Sequence, residues 1–168
     1  MDDTQRDNLY RFFDALFEQD DRVEVRFLPP MKTKSNQWFL DSPDIIVAEW
    51  DELTDRNKRQ DVYFGVNPRA ERSGTTESIR VCRCVFADFD HVTAEEATRR
   101  IDAAALPEPT VMVSSGHGIH TYWRLEEPID PTQWRAVQRG IIAALDCDAK
   151  VKDPPRIMRM PDTKHVAK

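Results

Sequence analysis

The run CVFADFDH at residues 84–91 ends an apolar stretch in two carboxylates, Asp88 and Asp90, one residue apart. Along a β-strand, residues i and i+2 point to the same side, so the two side chains are expected next to each other. Like charges at that distance repel unless a cation lies between them. Hard oxygen ligands suit magnesium and manganese, so the pair reads as part of a divalent-metal site. It reads equally as an ordinary strand end in which one Asp caps the next helix, since short motifs match by chance.

Two later segments offer partners for the pair. SSGHGIHTYW (114–123) places small residues ahead of and between two histidines. Glycines let a backbone approach a phosphate closely, and serines and free amides can donate to it. His120, at the base of that loop, can donate to a triphosphate oxygen; read alone it is equally a core histidine. His117 reads as an exposed loop residue, and Tyr122 and Trp123 as strand packing. In KDPPRIMRMP (152–161), Arg156 and Arg159 follow closely behind Asp153. Arginines beside a metal site clamp phosphates well, and they pair as readily with surplus acids elsewhere.

These residues need elements to carry them. Leu9, Phe12, Phe13, Leu16 and Phe17 fall at helical spacing and predict an amphipathic first helix with a core-facing side. RVEVRFL (22–28) alternates as a strand; PPMKTKSNQWF is a basic loop or frayed hairpin. Ser42 and Pro43 start a helix with Ile46 and Trp50 on its apolar face. DVYFGVNPR is a strand, AERSGTTES a mobile loop, and IRVCRCVFADFD the longest strand signal. Thr93 and Glu96 predict a capping box on a helix reaching about Leu106. PTVMVSS and GIHTYWRL form two strands around Gly116-His117-Gly118. Asp130, Pro131 and Gln133 open another helix, and RIMRMPD is a short last strand.

The second half thus runs strand, helix, strand, strand, helix, strand. That βαββαβ order predicts an RRM-like α+β module, a four-stranded antiparallel sheet backed by two helices. Its first and third strands lie centrally, so Asp88, Asp90, His120 and Asp153 are expected on one sheet face. Residues 79–168 form this catalytic module and residues 1–78 a smaller α/β module packed on one edge, together one domain over 1–168.

Composition restricts the setting. The 168 residues carry 32% charged and 40% hydrophobic residues and a net charge of −6, an ordinary globular balance. That charge argues against a broadly basic nucleic-acid-coating surface, while leaving room for a local basic groove. Cys82, Cys84 and Cys147 are too few and scattered for a disulfide framework or zinc site. The opening MDDTQRDNLY lacks signal-peptide character, and no apolar run approaches the roughly 20 residues of a membrane helix. A cytoplasmic protein without membrane contact is expected.

VFADFD, SSGHGIHTYW and KDPPRIMRMPDTKH resemble, in order and spacing, the three motifs of the archaeo-eukaryotic primase superfamily. The likeness is greatest to bacterial and plasmid primase-polymerases, CRISPR-associated ones included. It spans residues 62–165, and VYFGVNPR resembles a segment those proteins carry upstream. The resemblance implies template-dependent nucleotidyl transfer by two magnesium or manganese ions held by Asp88, Asp90 and Asp153. It implies His120, Arg159, Ser115 and Arg69 near the incoming nucleotide. It also implies a single-stranded template, a primer and ribo- or deoxyribonucleoside triphosphates as partners of a monomeric catalytic core whose accessory parts lie elsewhere. Asp162 stands where the family commonly has Gly, His165 where it has Asn, and Gly118 where some members have Ser. A haloacid-dehalogenase-type phosphatase with Asp88 as nucleophile is a second reading of the DxD strand, with VMVSS mimicking that group's second motif. A non-catalytic RRM-like nucleic-acid-binding module is a third, although RRM sheets display aromatics where this chain has acids.

Overall fold

Helical spacing of apolar residues buries one side of the first element. Leu9, Phe12, Phe13, Leu16 and Phe17 are all buried, on or just beyond α1 (Asp3–Leu16). The computed structural model describes residues 3–166. After α1 come β1 (Val23–Leu28), β2 (Gln37–Leu40), α2 (Pro43–Ala48), α3 (Trp50–Asn57) and β3 (Asp61–Gly65). The second half supplies β4 (Cys82–Asp90), α4 (Ala94–Ala103), β5 (Val111–Ser114), β6 (Gly118–Ile129), α5 (Pro131–Leu145) and β7 (Ile157–Arg159).

Local chemistry accounts for most of these boundaries. The basic loop after β1 is a hairpin turn, because β1 and β2 pair antiparallel. The expected second helix breaks into α2 and α3 at Glu49, with Ile46 and Trp50 both buried. Thr93 caps α4 by accepting from the Glu96 N–H at 3.3 Å. The reciprocal half of that box is replaced, because the Glu96 carboxylate pairs with Arg99 and Arg100; α4 ends at Ala103, short of Leu106. At α5 the full capping box between Asp130 and Gln133 forms. The loop expected to be mobile is tied down, with the Ala70 N–H donating to Ser78 O at 2.7 Å.

The strands form two antiparallel sheets, ordered β2-β1-β3-β7 and β4-β6-β5. The βαββαβ element order is present, and the first and third strands of that series, β4 and β6, are neighbours. The four-stranded sheet is not. The last strand crosses to the other sheet and pairs with β3, placing Tyr63 opposite Arg159.

The reason lies on the free edge of β4. Cys84, Phe86 and Asp88 turn their backbone groups away from β6, where a fourth strand would have paired. Four of those groups are already satisfied from outside the sheet. Trp134 Nε1 donates to Cys84 O at 2.7 Å. Gln138 accepts from the Phe86 N–H at 3.2 Å and donates to Phe86 O at 2.7 Å. The Asp148 N–H donates to Asp88 O at 2.9 Å. Buried backbone groups need partners, and here α5 and the turn after it supply them.

Between the sheets sits an aromatic cluster. Phe12 of α1 meets Phe64 of β3 at 5.3 Å and Tyr122 of β6 at 5.5 Å, both edge-on. Such pairs add about 0.5–1.5 kcal/mol each beyond burial.

Gln138 also donates to Val151 O at 2.9 Å, so one fully buried side chain satisfies three backbone groups. Gln138→Leu is expected to lower the unfolding free energy by about 2–3 kcal/mol, measured by urea denaturation. An unchanged midpoint would mean that water replaces the amide.

Candidate active site

Asp88 and Asp90 end β4, and register pairs them with His120 and Gly118 of β6. Backbone passes so close here that a Cβ on Gly118 would run into the Phe89 carbonyl. This accounts for glycine where a serine stands in some resembling sequences. The His91 N–H then donates to His117 O at 2.7 Å, and Ser115 closes the loop by donating Oγ to Gly118 O at 3.2 Å.

The two carboxylates open into a cleft of about 270 Å³. Its lining includes Asp88, Asp90 and His120 from the second sheet, Ser115 from the loop between β5 and β6, and Tyr63 and Arg159 from the first sheet. All four histidines of the chain line it: His91, His117, His120 and His165. A second lobe of about 280 Å³ shares Ser115, His117, His120, Arg159 and His165, and extends to Asp162 and Thr163. Asp162 has φ 57°, a left-handed backbone that glycine adopts without strain and Asp tolerates, so the departure from glycine there keeps the turn.

Burial raises the Asp88 carboxyl from 3.8 to about 6, with the charges of Asp90 and then Asp148 adding to the rise and Arg156 opposing it. His120 Nε2 lies 3.5 Å from Asp88 Oδ1. Burial, with the Arg159 charge adding to it and Asp90 opposing, lowers that imidazole from 6.5 to about 4. At neutral pH the contact therefore joins a carboxylate to a neutral imidazole, and it is not an ion pair. His120 Nδ1 and the Tyr122 hydroxyl are buried without hydrogen-bond partners.

The sequence-derived residues divide by position. Asp88, Asp90, His120, Ser115 and Arg159 come together. Asp153 does not line the cleft; it is half-exposed and accepts from Arg156 Nη2 at 3.0 Å. Arg69 does not reach the cleft either. Its buried guanidinium donates to Glu24 Oε2 from Nε at 2.9 Å and Nη2 at 2.6 Å, and to Pro155 O at 2.8 Å. Burial works against the Glu24 charge, but Arg69, Gln37 and Arg26 outweigh it and hold that carboxyl low. A fully buried ion pair fixes Arg69 in place.

The acid whose charge acts on Asp88 is Asp148, whose N–H also donates to Asp88 O; it does not line the cleft, and its Oδ1 accepts from the Lys150 N–H at 3.0 Å. A signal for it exists in the left-handed Asp146 that ends α5, which turns the chain straight back onto β4. His117 and His165 were also unforeseen as cleft residues; their rings lie 5.5 Å apart.

Among the described residues no group of three His, Cys, Asp or Glu side chains is arranged to hold a metal ion as it stands. The donor chemistry nonetheless fits a hard divalent ion, because two adjoining carboxylates, one partly buried, are left without a cation of their own. Their cost in stability has a definite sign. The folded carboxyl binds its proton more tightly than the unfolded one, so stability falls as pH rises from 3.8 through about 6. In metal-free buffer, Asp88→Asn is expected to raise the unfolding free energy at neutral pH by about 2 kcal/mol, discounted for partial exposure. The gain should fade towards pH 4. Urea melts of both proteins across this range measure it, and equal stability at neutral pH would contradict the burial argument.

No family model and no curated protein matches the sequence. Solved structures do. The archaeo-eukaryotic primase (AEP) domain of a primase-polymerase from cyanophage S-2L aligns at TM-score 0.75 and 21% identity, covering 95% of this chain and 83% of that one. The catalytic domain of primase RepB', in complex with initiator DNA, aligns at 0.67 and 16%, covering 92% and 74%. A further structure of primase RepB' aligns at 0.69 and 15%, covering 97% of this chain and 51% of that one. Over nearly its whole length the chain therefore has the fold of AEP-domain primase-polymerases.

Proposed function

We propose that this chain is a primase-polymerase catalytic core, which joins nucleotides on a single-stranded template and makes or extends a primer. The observation that carries the reading is the cleft itself. Two adjoining carboxylates and a neutral buried imidazole on one sheet face an arginine from the other, within a fold shared with primase catalytic domains.

Asp88 and Asp90 would hold divalent ions. Magnesium or manganese, when bound, supplies a means of activating the 3′-hydroxyl and stabilising the pyrophosphate leaving group. Asp148 is one candidate for a third carboxylate, because its charge acts on Asp88, and Asp153 is the one implied by motif likeness. His120 and Arg159 would face the triphosphate, the arginine neutralising charge and the imidazole donating a hydrogen bond. Ser115 fixes the loop that brings backbone close to the nucleotide. Arg69 acts at a distance, through its bond to Pro155 O in the loop that carries Asp153. The template, primer and nucleoside triphosphates are the partners of this reading. RepB' was crystallised with initiator DNA, which supports a nucleic-acid partner here. Among the described residues no helix is long and apolar enough to cross a membrane.

The test is incorporation of α-labelled nucleotide on a single-stranded template with manganese or magnesium. Extended products are expected, to be abolished by EDTA and reduced about 100-fold or more by Asp90→Asn, as fits loss of a metal ligand. Comparing Asp148→Asn with Asp153→Asn identifies the third ligand, the true one giving the comparable loss. Template-independent phosphate release, with label trapped on Asp88, would replace this reading by the phosphatase one. Binding of single strands without either reaction would favour the RRM-like module.

A further inference from the structure

Asp61 opens β3, on the sheet that does not carry Asp88, and the chemistry above makes no use of it. Its side chain is only 4% exposed. Two donors and an imidazole nitrogen converge on its Oδ1. The Val166 N–H donates at 2.7 Å and Arg159 Nη1 at 3.2 Å. His165 Nδ1 lies 3.3 Å away, at ion-pair distance but without the alignment of a hydrogen bond. Burial would raise this carboxyl, yet the Val166 N–H and the charges of Arg159 and His165 hold it below its ordinary value.

Two residues further along the same strand, and so on the same side, Tyr63 completes the support. Its hydroxyl accepts from Arg159 Nη2 at 3.2 Å, and its ring lies 5.1 Å from the guanidinium. The Arg159 side chain is thus held at both Nη atoms. His165, approached by Asp61 at Nδ1, keeps its Nε2 on the far side of the ring. Both residues line both lobes of the cleft. Among the described residues, Arg159 is the only Lys or Arg that lines either lobe. A polyanion entering beside Asp88 and Asp90 therefore depends on one fixed cation, and on imidazoles, for its charge.

We propose that Asp61 is a positioning residue that holds Arg159 and His165 together as a two-pronged anion clamp, and that His165 is a further contact for the polyphosphate of a bound nucleotide. This rests on the nucleotide-transfer reading of the cleft. The clamp makes a prediction opposite in sign to simple electrostatics. Removing the Asp61 charge leaves a more positive wall, which by charge alone would bind anions more tightly. With the clamp loosened, binding weakens.

The experiment is calorimetric titration of inorganic tripolyphosphate, and separately of a non-hydrolysable nucleoside triphosphate with manganese, into the protein. Asp61→Asn is expected to weaken both by about tenfold, and His165→Gln by about threefold. In an Arg159→Gln/His165→Gln background, adding Asp61→Asn should change either affinity by less than about twofold, because its effect passes through those two residues. Tighter or unchanged binding by Asp61→Asn, or an additive loss in that background, overturns the proposal. His165 is partly exposed and outside β3–β7, so His165→Gln is expected to fold whatever becomes of Asp61→Asn; unchanged tripolyphosphate affinity in that variant alone also overturns it. The polymerase reading fails separately. If wild-type protein incorporates no nucleotide while tripolyphosphate follows this pattern, the clamp stands and the transfer reading falls.

Discussion

The outer edge of β4 governs what the rest of this molecule can do. A strand that carries two carboxylates at its tip has to be held rigidly, yet its outward backbone groups at Cys84, Phe86 and Asp88 have no neighbouring strand. Indole, amide and peptide N–H groups from α5 and the following turn take the place of a ladder. An edge blocked in this way also resists pairing with another chain. With that edge closed, the final strand has to find a partner elsewhere, and it completes the sheet built by the first half. Arg159 arrives at the cleft by that route. Two features that look independent, an acidic strand end and an arginine from the opposite sheet, therefore have one cause.

Electrostatics at the strand tip follow from the same burial. Withdrawing Asp88 and His120 from water favours the neutral form of each, which raises the acid and lowers the base. On acidification the two respond in opposite directions. Asp88 gains stability for the fold as pH falls through about 6 towards 3.8, whereas His120 loses it between 6.5 and about 4. The overlap makes global stability a poor reporter of this site, even though each group is strongly perturbed. Above pH 6 the arrangement leaves a carboxylate, an uncharged imidazole and a second carboxylate side by side, a donor set that accepts a hard cation without first expelling a proton.

Much of this was legible in the residues. Alternation identified β1, strand-like runs identified β3, β4 and β6, and helical spacing identified α1 and its five core residues. Asp130 with Gln133 announced α5. The DxD strand end and its histidine neighbour could be placed together because strand order alone puts β4 beside β6, whereas Arg159 was tied to them only by motif likeness. What could not be read was tertiary substitution. Nothing local in Trp134 or Gln138 says that their side chains occupy hydrogen-bonding positions a strand would otherwise fill, so a four-stranded sheet was the natural expectation. Arg69 was expected near the nucleotide from motif likeness, and nothing in its neighbourhood announces its partner Glu24, which lies on β1 in a different stretch of chain. Asp61 was invisible for a related reason. Its partners Arg159, His165 and Val166 come from segments about a hundred residues away in sequence.

The aromatic cluster of Phe12, Phe64 and Tyr122 has a further consequence. Because the carboxylates hang from one sheet and the guanidinium from the other, this cluster acts as the spacer that sets their separation. Close-packed interiors transmit volume changes to their surroundings, so a residue such as Phe12, which never meets solvent at the cleft, works as a calibration point for it. Drift at Phe12 towards smaller side chains would cost stability directly and, through the packing, change the spacing across the cleft. The spacing of the cleft walls can thus be retuned from the far side of the core, with every residue that lines the cleft left in place.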